Sequence, residues 1–88
     1  MKARARCYFT GIVQGVGFRY LIERFARELK LTGFVKNNPN GTVEAHFSGD
    51  IEAIKKIVSI CRKGPSLGSV KKLDIKECKE EFSDFKIQ

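Results

Sequence analysis

An arginine, two nearby glycines and the start of a helix together make a grip for an anion. This chain places all three within Gln14-Gly15-Val16-Gly17-Phe18-Arg19. Glycines at that spacing permit a turn whose backbone N–H groups converge, and a helix opening directly behind it adds its own unpartnered donors. No Ser, Thr, Asp or Asn stands between Gly11 and Arg19, so those first donors lack a side-chain acceptor. Arg19 adds positive charge where the helix dipole is already positive, which is unfavourable until something negative is held there. A plain tight turn beside a solvated arginine accounts for the same residues, because Arg19 is one of 17 basic side chains. Two well-known phosphate loops do not fit. The Gly-Lys-Ser/Thr ending of the Walker A loop is absent, and Tyr20 stands where a dinucleotide fingerprint needs its third glycine.

Other reactive sets are thin. His46 is the only histidine; it falls in mid-strand on the outward face and reads as a surface residue, not a base or ligand. Cys7, Cys61 and Cys78 are odd in number and show no close pairing, so they are expected to be free thiols in a cytoplasmic protein. One histidine and scattered thiols make no zinc set, and Glu44, Glu77, Glu80 and Glu81 read as ordinary surface carboxylates. Three asparagines cluster at 37, 38 and 40. Asn38 and Asn40 suit a turn, whereas Asn37 ends a strand, where such a residue is disfavoured.

The elements that must position these residues follow from periodicity. The chain has 88 residues and reads as one domain over 1–88, with 42% hydrophobic residues and a net charge of +7. Neither a bilayer-spanning run nor a signal-peptide core is present. The lysines are scattered among acidic residues, which describes a solvated surface that also steers anions. A first strand is expected from about Ala3 to Ile12, with Ala5, Cys7 and Phe9 on its buried face. A helix over Phe18 to Lys30 is expected next, ending before Thr32-Gly33, where the glycine lets the chain leave. Strands at Phe34–Asn37 and Thr42–Phe47 flank the turn Asn38-Pro39-Asn40-Gly41. Ser48-Gly49-Asp50 is expected to break the strand, and Asp50 to cap a second helix running to about Arg62. Ser69–Glu77 and Phe82–Ile87 supply the last strands. The order β-α-β-β-α-β with a terminal edge strand is α+β, the ferredoxin-like split βαβ: an antiparallel sheet with two helices on one face.

Two motifs then carry a resemblance. Gly11-Ile12-Val13-Gln14-Gly15-Val16-Gly17-Phe18-Arg19 is similar to the phosphate-loop signature of acylphosphatases. Gly33-Phe34-Val35-Lys36-Asn37, followed by Gly41-Thr42-Val43 and Gly49, is similar to their second signature. The chain departs from the family at Phe9, where an aliphatic residue is usual, and at Asn38, where many relatives carry threonine. The resemblance covers essentially the whole chain. It implies hydrolysis of acyl phosphates to carboxylate and inorganic phosphate without metal or cofactor. Arg19 and the N–H groups of Gln14, Gly15, Val16, Gly17, Phe18 and Arg19 would hold the phosphoryl group, and Asn37 would orient the attacking water. The expected partners are a small acyl phosphate and inorganic phosphate as product or inhibitor, with no membrane or nucleic acid and a monomeric chain.

Two other readings stand beside this one. Domains of this fold often bind RNA on the sheet, but the third strand offers only Phe47 where an RNA-recognition motif has an aromatic run. A phosphate- or carbamoyl-phosphate-binding module of a larger maturation enzyme is the second, and a free-standing chain of this length speaks against it.

Overall fold

The computed structural model describes residues 1–77 and 79–88; Cys78 lies outside the described residues. The elements run β1 (Lys2–Ile12), α1 (Phe18–Glu28), β2 (Thr32–Asn37), β3 (Val43–Asp50), α2 (Ile51–Arg62), β4 (Ser69–Glu77) and β5 (Phe85–Ile87). The strands form one sheet in the order β4-β1-β3-β2-β5. Alternation along the strands sends Ala5, Cys7, Phe9, Val35, Val43, Ala45 and Phe47 to one face, where they are buried. Phe18, Ile22 and Ala26 of α1 and Ile54, Ile57 and Cys61 of α2 close that core. Helix α1 lies against β2 and β5, and α2 against β1 and β3. Among the described residues no helix is long and apolar enough to cross a membrane.

The ferredoxin-like core is as the periodicity predicts, with antiparallel pairs β1–β3, β1–β4 and β2–β3. Strand β5 joins β2 in parallel, which makes the whole sheet mixed. Its direction is forced by the connection. Strand β4 runs opposite to β2, so it finishes at the sheet end where β2 starts, two strands away. A chain that crosses the sheet at that end must enter β5 pointing the same way as β2. Residues 79–84 make this crossing over the face opposite the helices. Glu80 meets Arg6 at 3.6 Å, Glu81 pairs with Arg4, and the Phe82 ring lies edge-on to Phe34 at 5.5 Å.

That crossing corrects the expectation for His46. The residue does point to the outward face, but Phe34 stacks on its ring at 4.2 Å and Phe82 stands edge-on at 6.0 Å, leaving it 3% exposed. Several boundaries also differ, among them the start of β2, which lies at Thr32 and not at Phe34. Helix α1 stops at Glu28, and the chain leaves it through Lys30 in the left-handed region (φ 58°), not through Gly33. Gly33 is instead a strand residue whose missing side chain lets β2 approach β3, because a Cβ there would collide with the His46 carbonyl. Strand β3 continues through Ser48-Gly49-Asp50, because Lys2, Ala3 and Arg4 of β1 pair with those residues. Residues 82–84 precede the last strand and are not part of it. The Asp50 cap is as expected, its carboxylate accepting from the Glu52 N–H at 3.1 Å.

Candidate active site

Strands β1 and β2 both run antiparallel to β3, so they are parallel to each other and finish at the same end of the sheet. The glycine-rich loop leaves β1 at that end, and Asn37 closes β2 there. Parallel pairing brings the end of β5 alongside, with the Gln88 N–H donating to the Val35 carbonyl at 2.8 Å. Sheet topology thus gathers residues 14–19 with residue 37, although a helix separates them in sequence.

The loop is clamped at both ends by buried apolar side chains. Val13 and Phe18 are each 1% exposed, and the Phe18 ring meets Phe9 edge-on at 5.1 Å. Between the clamps, Gly15 and Gly17 take φ of 73° and 77°, a region that disfavours any side chain. Gly17 is the N-cap of α1; no side chain bonds to the helix start, and no acidic residue lies in its first turn. The first helical bond runs from the Leu21 N–H to the Gly17 carbonyl at 3.1 Å. The N–H groups of Phe18, Arg19 and Tyr20 therefore precede the intrahelical ladder and remain available as donors. The half-buried Arg19 stands in this first turn, and its Nη1 donates to the Gln88 carbonyl at 3.3 Å. The rest of its donor fork makes no hydrogen bond to the described residues.

The side chain of Gln14 has a different task. Its Nε2 donates to the carbonyls of Asn38 (2.8 Å) and Thr42 (2.9 Å), tying the loop to the β2–β3 hairpin. Gln14 can therefore offer an anion only its backbone. The hairpin is closed by the Asn38 N–H on the Thr42 carbonyl at 2.8 Å and the Gly41 N–H on the Asn38 carbonyl at 3.1 Å. Asn40 Oδ1 accepts from the Thr42 N–H at 3.1 Å and from its hydroxyl at 2.7 Å. Asn38 and Asn40 are the turn residues their type suggests.

Asn37 is different. It shares the helix-facing side of β2 with Val35, and its Oδ1 is shielded from solvent without a hydrogen-bond partner in the protein. Buried amide oxygens are rarely left so, since each unsatisfied group costs on the order of 1–3 kcal/mol. A solvent-shielded acceptor thus lies at the same sheet end as a helix start rich in unused donors.

The periodicity does not reveal a second set of polar residues behind the hairpin. Asn38 Nδ2 donates to Thr42 Oγ1 (3.1 Å) and to Glu44 Oε1 (3.2 Å), and Glu44 Oε2 accepts from His46 Nε2 at 2.8 Å. The only signal for it in the chain is that Glu44 and His46 alternate on one strand face. Among the described residues no group of His, Cys, Asp or Glu could hold a metal ion. Cys7 and Cys61 are buried free thiols. Desolvation pushes each up to about 12, against a weak opposing pull on Cys7 from the Arg62 charge and with a further upward push on Cys61 from Cys7. Neither is a nucleophile near neutral pH.

A family model for acylphosphatases fits residues 5–87. An acylphosphatase of Thermococcus kodakarensis is 40% identical over 98% of this chain and 96% of its own. The crystal structure of the Bacillus subtilis acylphosphatase superposes with a TM-score of 0.93 and 32% identity, covering all of this chain and 99% of that one. A structure of full-length HypF in its phosphate- and nucleotide-bound form gives the same TM-score at 29% identity, with this chain covering 12% of it.

Proposed function

The chain belongs to the acylphosphatase family, and from that premise we propose how its own residues hydrolyse an acyl phosphate. The N–H groups from Gln14 to Arg19 and the Arg19 fork take the phosphoryl oxygens. Asn37 holds a water in line with the bond to the acyl oxygen. The water oxygen bonds to phosphorus as the bond to the acyl oxygen breaks, the acyl group leaves as a carboxylate with the electron pair, and the water's proton passes to a phosphate oxygen. An amide cannot act as a general base, but it can accept from a water and fix its direction. The leaving carboxylate needs no protonation, so the chemistry asks mainly for positioning and charge stabilisation.

The observation that carries this reading is the unpartnered, solvent-shielded Asn37 Oδ1 at the same sheet end as an uncapped helix start bearing Arg19. Arginine suits the role because its fork stays charged and matches paired phosphate oxygens. RNA binding on the sheet is the poorer reading, since Phe34 and His46 of the open face are buried beneath Phe82.

The test is hydrolysis of an aryl acyl phosphate in EDTA by the wild type, Arg19→Ala and Asn37→Ala. Turnover is expected in the wild type alone. Inhibition by inorganic phosphate should vanish in Arg19→Ala and survive in Asn37→Ala. A folded wild type that binds phosphate without turnover would overturn the reading.

A further inference from the structure

The hairpin is held from two sides, and only one of them is the phosphate loop. On the other side, Asn38 Nδ2 donates to Glu44 Oε1 at 3.2 Å, and Glu44 Oε2 faces His46 Nε2 at 2.8 Å. The side chains of Glu44 and His46 are 14% and 4% exposed, so both ends of this contact are screened from bulk water. The peptide bond then joins Asn38 directly to Asn37.

We propose that Glu44, steadied by His46, is a positioning residue for the hydrolysis, fixing the Asn38 amide and through it the placement of Asn37. The proposal rests on Asn37 orienting the attacking water. An ionised carboxylate only accepts hydrogen bonds, whereas an asparagine amide turned by half a revolution exchanges its donor for its acceptor. Glu44 therefore admits one orientation of Asn38, the one with Nδ2 toward the sheet face. That orientation also satisfies Thr42 Oγ1 at 3.1 Å. Meanwhile the Asn38 carbonyl receives Gln14 at 2.8 Å. Asn38 is thus tied to the phosphate loop through its backbone and to the sheet through its side chain, and Asn37 is carried between the two. His46 in turn must keep its proton on Nε2 to donate to Glu44, and the stacked Phe34 ring holds its plane.

The charge on Glu44 is maintained by its surroundings. Burial pushes its pKa up, but hydrogen bonds from His46 and Asn38 and the nearby charges of Lys36 and His46 outweigh this, and the net shift is downward. Among the described residues, the titratable groups facing the pair include Tyr8 and Arg6 on β1, Lys36 on β2 and Glu80 of the crossing segment, which pairs with Arg6. A carboxylate with a depressed pKa keeps its contribution above its ordinary range and loses it as the pH falls through the depressed value. Removing the His46 bond should raise that value and bring the loss to a higher pH.

The experiment is steady-state hydrolysis of an aryl acyl phosphate by wild type, Glu44→Gln, Asn38→Ala, their double variant and His46→Gln, with Asn37→Ala as reference. Glu44→Gln is isosteric, so the fold should be retained. Its kcat is expected to fall about tenfold, short of the roughly hundredfold that an ångström of misplacement can cost. KM and phosphate inhibition should stay at wild-type values. The double variant should lose no more than the worse single variant, because both act along one chain. His46→Gln should move the acid limb of kcat to higher pH. The proposal is overturned if Glu44→Gln keeps wild-type kcat while Asn37→Ala is inactive, if the single losses multiply, or if the acid limb stays fixed. An active Asn37→Ala would instead remove the reading beneath it.

Discussion

Gln14 and Asn38 are joined across the site by one hydrogen bond of 2.8 Å, from the Nε2 of the loop residue to the carbonyl of the hairpin residue. A second bond of 2.9 Å to Thr42 makes this a two-point tie. The glycine-rich loop follows β1 and Asn37 ends β2, so the spacing between the proposed anion grip and the proposed water-orienting amide depends on this tie as well as on the sheet.

Gln14→Ala should therefore separate two functions. Phosphate inhibition should persist, because the backbone donors stay, while kcat falls. Losing two hydrogen bonds should lower stability by about 1–2 kcal/mol, which in a domain of this size shifts Tm by roughly 4–16 °C. Calorimetry beside inhibition kinetics checks it. A variant that loses phosphate inhibition and kcat in proportion would show that the side chain serves the grip itself.

Gly17→Ala and Gly33→Ala should differ in kind. A methyl at Gly17 meets nothing within 4 Å, so its cost is that of the left-handed backbone, about 1–2 kcal/mol. The loop's donors should be re-aimed, and weaker phosphate inhibition is the expected signature. A methyl at Gly33 collides with the His46 carbonyl and should force β2 from β3. Its urea midpoint should fall further than that of Gly17→Ala, with inhibition lost only as the protein unfolds.

Cys7 and Cys61 should be silent toward thiol reagents. With each pushed to about 12 by burial, the thiolate fraction at pH 8 is negligible and access is closed. In a Cys78→Ser variant, no label should be taken up in buffer, and two should be taken up in urea. Fast native labelling would mean that α2 opens away from β1 far more readily than the core packing implies.

Much of the local geometry of the candidate site was legible in the sequence because its parts are local. The missing cap, the glycines and Arg19 lie within one short stretch, and Asn37 stands out as a residue unsuited to a strand end. The hairpin asparagines and the Asp50 cap are likewise set by near neighbours. What sequence alone did not yield depends on distant segments. His46 has the alternation of a surface residue and becomes buried only because residues 79–84 cross over it. Gly33 resembled a helix exit, yet its role is set by the carbonyl of a residue on the neighbouring strand. The bond between Asn38 and Glu44 spans only six residues, but it requires the register of β2 on β3, which periodicity does not supply.

Strand β4 borders the sheet on the side away from β5, and it is nine residues long. An open strand of that length offers a row of free backbone groups to any other extended chain, the usual beginning of fibrous aggregation. Lys71, Lys72 and Lys76 punctuate this one, with Asp74 among them, so a second strand could dock only by stripping water from several charges. If these exposed lysines act as gatekeepers, acetylating them should make concentrated protein precipitate before its activity declines.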